Sequence, residues 1–306
     1  MRAAALVAFV CLLAGCGGAP RSATGTHLYL AGNGELWDVD VAHQRVRRLE
    51  RPTLDVGEVP HRILARGRRL IMGSAFGDSA YFLPSVSADR VWVVDVGSFS
   101  GARAVREVTV DGETVVPAIT PPQHRSPLAA VAGGLLLAAR DGLDVWDPRT
   151  GRTVRHLTVD PETLGPTDGP LVTSCTDPQC HALALTDARS GASRAIAAPS
   201  GFTFEPWTAA FSPRGDLLGI PVRVVADGPR QLALVDVARG RVAIVPRSSV
   251  SPGYTLVAWS ASGDDVFLTG GGAYATPRVL VGYRLRGPAA QAINVRVGNF
   301  YDLAAI

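Results

Sequence analysis

Short apolar runs alternate with breaks rich in Gly, Pro, Asp and Ser along residues 27–306. Runs such as His27-Leu-Tyr-Leu30, Arg90-Val-Trp-Val-Val-Asp-Val96, Gly134-Leu-Leu-Leu137 and Ala182-Leu-Ala-Leu185 have strand length, and turn residues bound them. This pattern predicts an all-β chain of many short strands. The clearest unit is Gly142 to Val159, two arms around the turn Asp147-Pro-Arg-Thr-Gly151. Leu143 and Val145 supply the apolar positions of the first arm; Val154, Leu157 and Val159 supply those of the second. Asp at the first turn position can accept a bond from the backbone two residues on, and Gly takes the positive φ that closes the hairpin.

The turn returns as Asp187-Ala-Arg-Ser-Gly191 and Asp236-Val-Ala-Arg-Gly240, and in degenerate form as Tyr283-Arg-Leu-Arg-Gly287. The closing glycines are 40, 49 and 47 residues apart, and Gly112 of an Asp-Gly turn lies 39 residues before Gly151. A strand-and-turn repeat of that period predicts one β-propeller. Residues 51–125 read as a shortened blade and a full one, for seven blades in all; read as one long blade they give six. Asp160 to Pro170 reads as a loop-rich gap, and Trp207 to Phe211 as a strand parallel to Leu256 to Trp259. Three strands follow His27, and Phe300 to Ile306 is expected to supply the inner strand of that blade, removing an open edge.

Two of the turns carry a resemblance. Phe211-Ser-Pro-Arg-Gly215 and Trp259-Ser-Ala-Ser-Gly263 resemble the (F/W)SPDG turn of WD-repeat and TolB-like propellers, with Arg214 and Ser262 at its Asp position. That motif implies a turn between the two inner strands of a blade, and no chemistry. The N-terminus adds location. Arg2 and the apolar stretch Ala3 to Leu13 read as a signal segment, too short to span a bilayer comfortably. The sequence Leu13-Ala-Gly-Cys16 resembles the lipobox of bacterial lipoproteins, which implies a diacylglycerol-modified Cys16 as mature N-terminus. The expected organisation is a signal peptide over residues 1–15, a small polar tether over 16–26 and a propeller over 27–306. An ordinary secretory signal or an uncleaved anchor are the alternatives, and all three place the body outside the cytoplasm. The chain as a whole resembles actinobacterial propeller lipoproteins, and its 30 basic residues are all Arg. The resemblance implies a lipid anchor on the outer side of the cytoplasmic membrane.

Candidate chemistry is sparse. Cys175 and Cys180 flank an Asp-Pro turn and can meet across a hairpin as a disulfide. A metal or redox pair is the rival reading, but Cys-x4-Cys lacks the usual spacing and a second ligand pair. The six His lie at 27, 43, 61, 124, 156 and 181, with no i, i+4 pair. Gly97-Ser-Phe-Ser-Gly101 and Gly73-Ser-Ala-Phe-Gly77 lack the central Ser of a nucleophile elbow. Asp38-Val-Asp40 starts like a calcium loop but lacks its Gly and closing Glu. Asp95, Asp147, Asp187 and Asp236 recur with the repeat, so a per-blade turn role is expected of them. Trp37, Trp92 and Trp146 are expected to pack between blades. No catalytic residue, metal ligand set or cofactor site is assigned. A net charge of +3 without a basic run interleaved with aromatics gives no case for nucleic acid. The expected function is a non-catalytic binding or scaffold module for an envelope protein, peptide or glycan. The alternative is an envelope hydrolase or lyase with its site in the propeller channel.

Overall fold

The computed structural model describes residues 26–32, 35–49, 54–56, 62–66, 69–73, 80–97, 101–271, 279–295, 297, 300 and 302–306. Six antiparallel sheets follow one another along the chain as the blades of a β-propeller. The first joins Asp302–Ala305 to His27–Gly32, Glu35–Asp40 and Arg45–Leu49. The second holds Ala80–Pro84, Arg90–Gly97, Gly101–Thr109 and Thr114–Ile119. The third holds Pro127–Val131, Gly134–Ala139, Gly142–Asp147 and Arg152–Leu157. The fourth holds Leu164–Asp168, Leu171–Cys175, Ala182–Asp187 and Ser193–Ala197. In the fifth, Thr203–Phe204 and Ala210–Phe211 both pair with Leu217–Arg223, which continues through Arg230–Asp236 to Arg241–Ile244. The sixth holds Leu256–Trp259, Asp265–Gly270, Val279–Arg284 and Gln291–Ala292.

Six complete blades fit the six-bladed reading. Leu54–Val56, Arg62–Arg66 and Arg69–Gly73 form a three-stranded sheet between the first and second blades. Ile63 and Leu70 pack on Ala31 and Leu36 of the first blade, and Ile71 packs on Phe82 and Val91 of the second. Its pairing of Leu54–Val56 with Arg69–Gly73 is parallel, which a tight hairpin cannot make. The segment therefore does not form the antiparallel meander of the other sheets, and the seven-bladed reading finds no seventh such meander among the described residues.

Each middle strand is buried on both faces, which is why these strands read as continuous apolar runs. In Gly142–Asp147, Leu143 and Val145 pack into the layer shared with the fourth blade, while Trp146 packs with Tyr81 and Trp92 of the second. Trp37 packs likewise against Leu256 and Phe267 of the sixth blade. The outer strand Arg152–Leu157 buries only Leu157. Val154, expected as an apolar position of that arm, is exposed, and Val159 is buried just beyond the strand.

The chain ends close the ring. Leu28 pairs with Ala305 and Leu30 with Leu303. The backbone of His27 and Ile306 exchanges bonds of 3.0 and 2.9 Å. Two inner strands depart from expectation. The gap at 160–170 contains a 3-10 turn at Pro161–Thr163, capped by the Asp160 side chain, and then the strand Leu164–Asp168. Gly165 and Pro166 obscure that strand in the sequence; as the innermost strand it has an open edge, where Pro is tolerated. The strand expected at Trp207 to Phe211 is broken, as described below.

Three of the recurring Asp residues do the expected turn work. Asp147 accepts from Arg149 N at 2.9 Å, Asp187 from Ser190 N at 2.7 Å and Asp236 from Arg239 N at 2.8 Å. Gly151, Gly191 and Gly240 close these turns at φ of 69°, 77° and 66°. Asp95 differs: it lies within Arg90–Gly97 and binds Arg106 at 3.0 Å across the pair of strands. From the second blade round to the first, neighbouring blades touch through their first strands, while the three-stranded sheet lies between the first and second. Turns between second and third strands therefore share one face of the ring with the connections between blades. This face is called the loop face below.

Candidate functional site

The fifth blade carries the ring's most irregular inner strand, and Pro206 is the reason. Phe204 pairs with Val222, and Glu205 N still bonds Pro221 O at 2.9 Å. Pro206 has no N–H to continue the ladder. The chain leaves the sheet, makes a 3-10 turn over Pro206–Thr208 and rejoins at Ala210. Phe204 and Pro206 are buried and anchor the excursion. The fourth blade makes room for it at Gly165, where a Cβ would lie 2.9 Å from Pro206 Cβ and 2.5 Å from Thr173 Oγ1. The turn lifts the Trp207 side chain out of the core, 58% exposed.

Glu205 ties this turn to the hairpin loop at 224–229. Its carboxylate is buried and takes two bonds from Arg230, Nη2 at 2.9 Å and Nε at 3.2 Å. Arg223 Nη1 approaches the same carboxylate at 3.3 Å. Both arginines also hold the loop backbone: Arg230 Nη1 donates to Gly228 O at 2.6 Å and Arg223 Nη1 to Ala226 O at 2.9 Å. Val224 and Val225 stand exposed on the loop so pinned. A hydroxyl contact of 3.2 Å between Thr208 and Thr255 brings the turn against the segment bearing the exposed Tyr254. Of the seven exposed large hydrophobics among the described residues, four gather here: Trp207, Val224, Val225 and Tyr254. Apolar exposure on this scale marks interaction surfaces. Sequence reading missed the site by taking Trp207 to Phe211 as one continuous apolar strand. Pro206 inside an apolar run was the available signal.

Cys175 and Cys180 are joined in a disulfide. Cys180 O accepts from Phe204 N at 3.0 Å, so the bridged loop abuts the start of the split strand. Cys16, with the signal and tether, lies outside the described residues except for Thr26. Four of the histidines meet aspartates: His27 with Asp38, His43 with Asp40, His181 with Asp177 and His156 with both Asp144 and Asp141. His124 faces Ala102 O, and His61 lies outside the described residues. Among the described residues no three His, Cys, Asp or Glu side chains are placed to hold a metal.

His156 lies between two carboxylates. Its bond to Asp144, 3.0 Å from Nδ1, raises its pKa, and Asp141 adds to the effect. Burial pushes Asp144 upward, but bonds from His156 and Arg125 outweigh it and lower its pKa. A raised imidazole pKa stabilises the fold below about pH 6.5, and that contribution is lost as pH rises through the raised value. A side-chain NMR titration should therefore place the His156 midpoint above about 6.5. Asp144→Asn should bring it back, and an unchanged midpoint would show that the pair does not interact in solution.

No family model matches this sequence, and no curated protein does. Solved structures do. TolB from Acinetobacter baumannii matches with a TM-score of 0.52 at 13% identity, over 97% of this chain and 70% of that one. A protein from Lactobacillus plantarum matches with a TM-score of 0.55 at 12% identity, over 92% of this chain and 99% of that one. A putative 6-phosphogluconolactonase from Bacteroides fragilis matches with a TM-score of 0.52 at 11% identity, over 94% of this chain and 100% of that one. At such identities the likeness is one of fold, a β-propeller similar to that of TolB.

Proposed function

We propose that this protein is a non-catalytic binding module, lipid-anchored through Cys16 on the outer side of the cytoplasmic membrane, that takes an envelope protein as partner on the loop face of its fifth blade. The observation that carries this reading is the exposed group of Trp207, Tyr254, Val224 and Val225 on a scaffold pinned by Glu205, Arg223 and Arg230. Trp and Tyr are enriched among the residues that dominate protein interfaces, and a preorganised surface loses little entropy on binding. The anchor rests on the lipobox-like Leu13-Ala-Gly-Cys16. An envelope hydrolase or lyase has behind it only a fold shared with a putative lactonase, and a shared fold does not carry activity.

One experiment tests both parts. Membranes bearing the full chain are cross-linked mildly, and captured proteins are identified and quantified. A partner captured by the native chain should fall about tenfold or more with Trp207→Ala and Tyr254→Ala together. Capture unaffected by the pair would remove the fifth blade from the interface. In the same fractionation Cys16→Ser should move the protein from the membranes to the medium, and continued retention would exclude the lipid anchor.

A further inference from the structure

The layer between the third and fourth blades is filled at one end and open at the other. Val172 of the fourth blade packs against Leu143, Val145 and Leu157 of the third. Two residues on, the same strand face carries Ser174, paired with Ala184, and Thr186 pairs with Val172. On their opposite face these strands bury Leu183 and Leu185 against Ile220 and Val222 of the fifth blade. Large apolar side chains thus fill one face of the fourth blade, while small and hydroxylated ones hold the other apart. The result is a cleft of about 560 Å³ that also meets Arg140, Asp141, Asp160 and Thr176. That volume lies within the range of small-molecule sites.

We infer that this cleft binds a small neutral saccharide of one or two rings. The inference is independent of the protein interface proposed above. Ser174 and Thr186 are each 4% exposed. Thr186 Oγ1 bonds Ser193 Oγ at 3.1 Å. The lining mixes a guanidinium, two carboxylates and several hydroxyls, so it donates and accepts in nearly equal measure. A polyol does the same: its hydroxyls donate to Asp141 and Asp160 and accept from Arg140. An anion would meet two carboxylates, and a cation would meet Arg140. Pro161 adds apolar surface for the C–H side of a ring.

The test uses isotope-labelled full chain and amide chemical shifts. The probes are glucose, galactose, N-acetylglucosamine and the β1,4-linked disaccharides cellobiose, lactose and diacetylchitobiose. At least one should bind saturably and shift Gly142, Thr158 and Thr176. Asp160→Asn should weaken it about tenfold or more, since bonds to a charged partner are the strong ones. Asn still caps the 3-10 turn at Pro161, so the backbone is kept. Thr186→Leu, which fills the cleft, should abolish binding while the shifts of the fifth blade stay in place. The inference is overturned if none of the probes shifts these amides, if binding survives Thr186→Leu, or if only control glycine or inorganic phosphate binds.

Discussion

Replacing Glu205 by Ala should lower the midpoint of thermal unfolding on the order of 10 °C, and Arg230→Ala should lower it by less. Both side chains are buried and bonded twice to each other. Removing Glu205 leaves the Arg230 charge uncompensated in a place water does not reach, which costs about 3–5 kcal/mol; removing Arg230 costs less, because Arg223 still meets the carboxylate at 3.3 Å. For a domain of this size each kcal/mol moves the midpoint by about 2–4 °C. The paired change Glu205→Leu with Arg230→Met should recover most of the loss, because well-packed apolar groups can replace a buried ion pair at little cost. Calorimetry on the two single variants and the pair decides the matter. Single variants that melt within a degree or two of the native chain would show that the charges are solvated in solution.

Removing residues 302–306 should leave the protein insoluble, or folded only with a much lower melting point. Leu28 and Leu30 are fully buried, and Asp302–Ala305 covers the edge of their strand. Phe300 and Leu303 pack in the same layer between the first and sixth blades. Without the strand that layer opens to water, and an unpaired apolar edge invites association with other chains. Soluble yield and size-exclusion profile provide the measurement. A monodisperse product with native melting would show that the ring holds without its closing strand.

Much of this fold was legible because its strands are apolar on both faces and its turns repeat. Gly142 to Leu157, with its Asp and Gly, states a hairpin outright. The inner strands were harder. Leu164–Asp168 contains Gly and Pro, and it is held by its neighbours rather than by its own propensity. Leu54–Val56 was missed because it is short and pairs out of sequence order. Of the candidate site, the approach of Cys175 to Cys180 could be read from a local turn. The pairing of Glu205 with Arg230 could not, since the two lie on different strands 25 residues apart. The same holds for His156 and Asp144, which meet only because neighbouring strands set them opposite each other in register. The strand expected over Trp207 to Phe211 was misread because Pro206 breaks the ladder and the 3-10 turn leaves Trp207 exposed.

In two blades the recurring turn also lowers the pKa of its aspartate. Backbone and side-chain bonds from Ser190 lower the pKa of Asp187 below its ordinary 3.8, and those from Arg239 do so for Asp236. A depressed carboxylate contributes stability that is whole above its unfolded value, about pH 4, and is lost as pH falls through the folded one. Because the fourth and fifth blades use the same device, both outer hairpins lose this contribution on the acid side of about pH 4. Repetition, which lets one sequence pattern build successive blades, thus gives these two the same direction of response to acid.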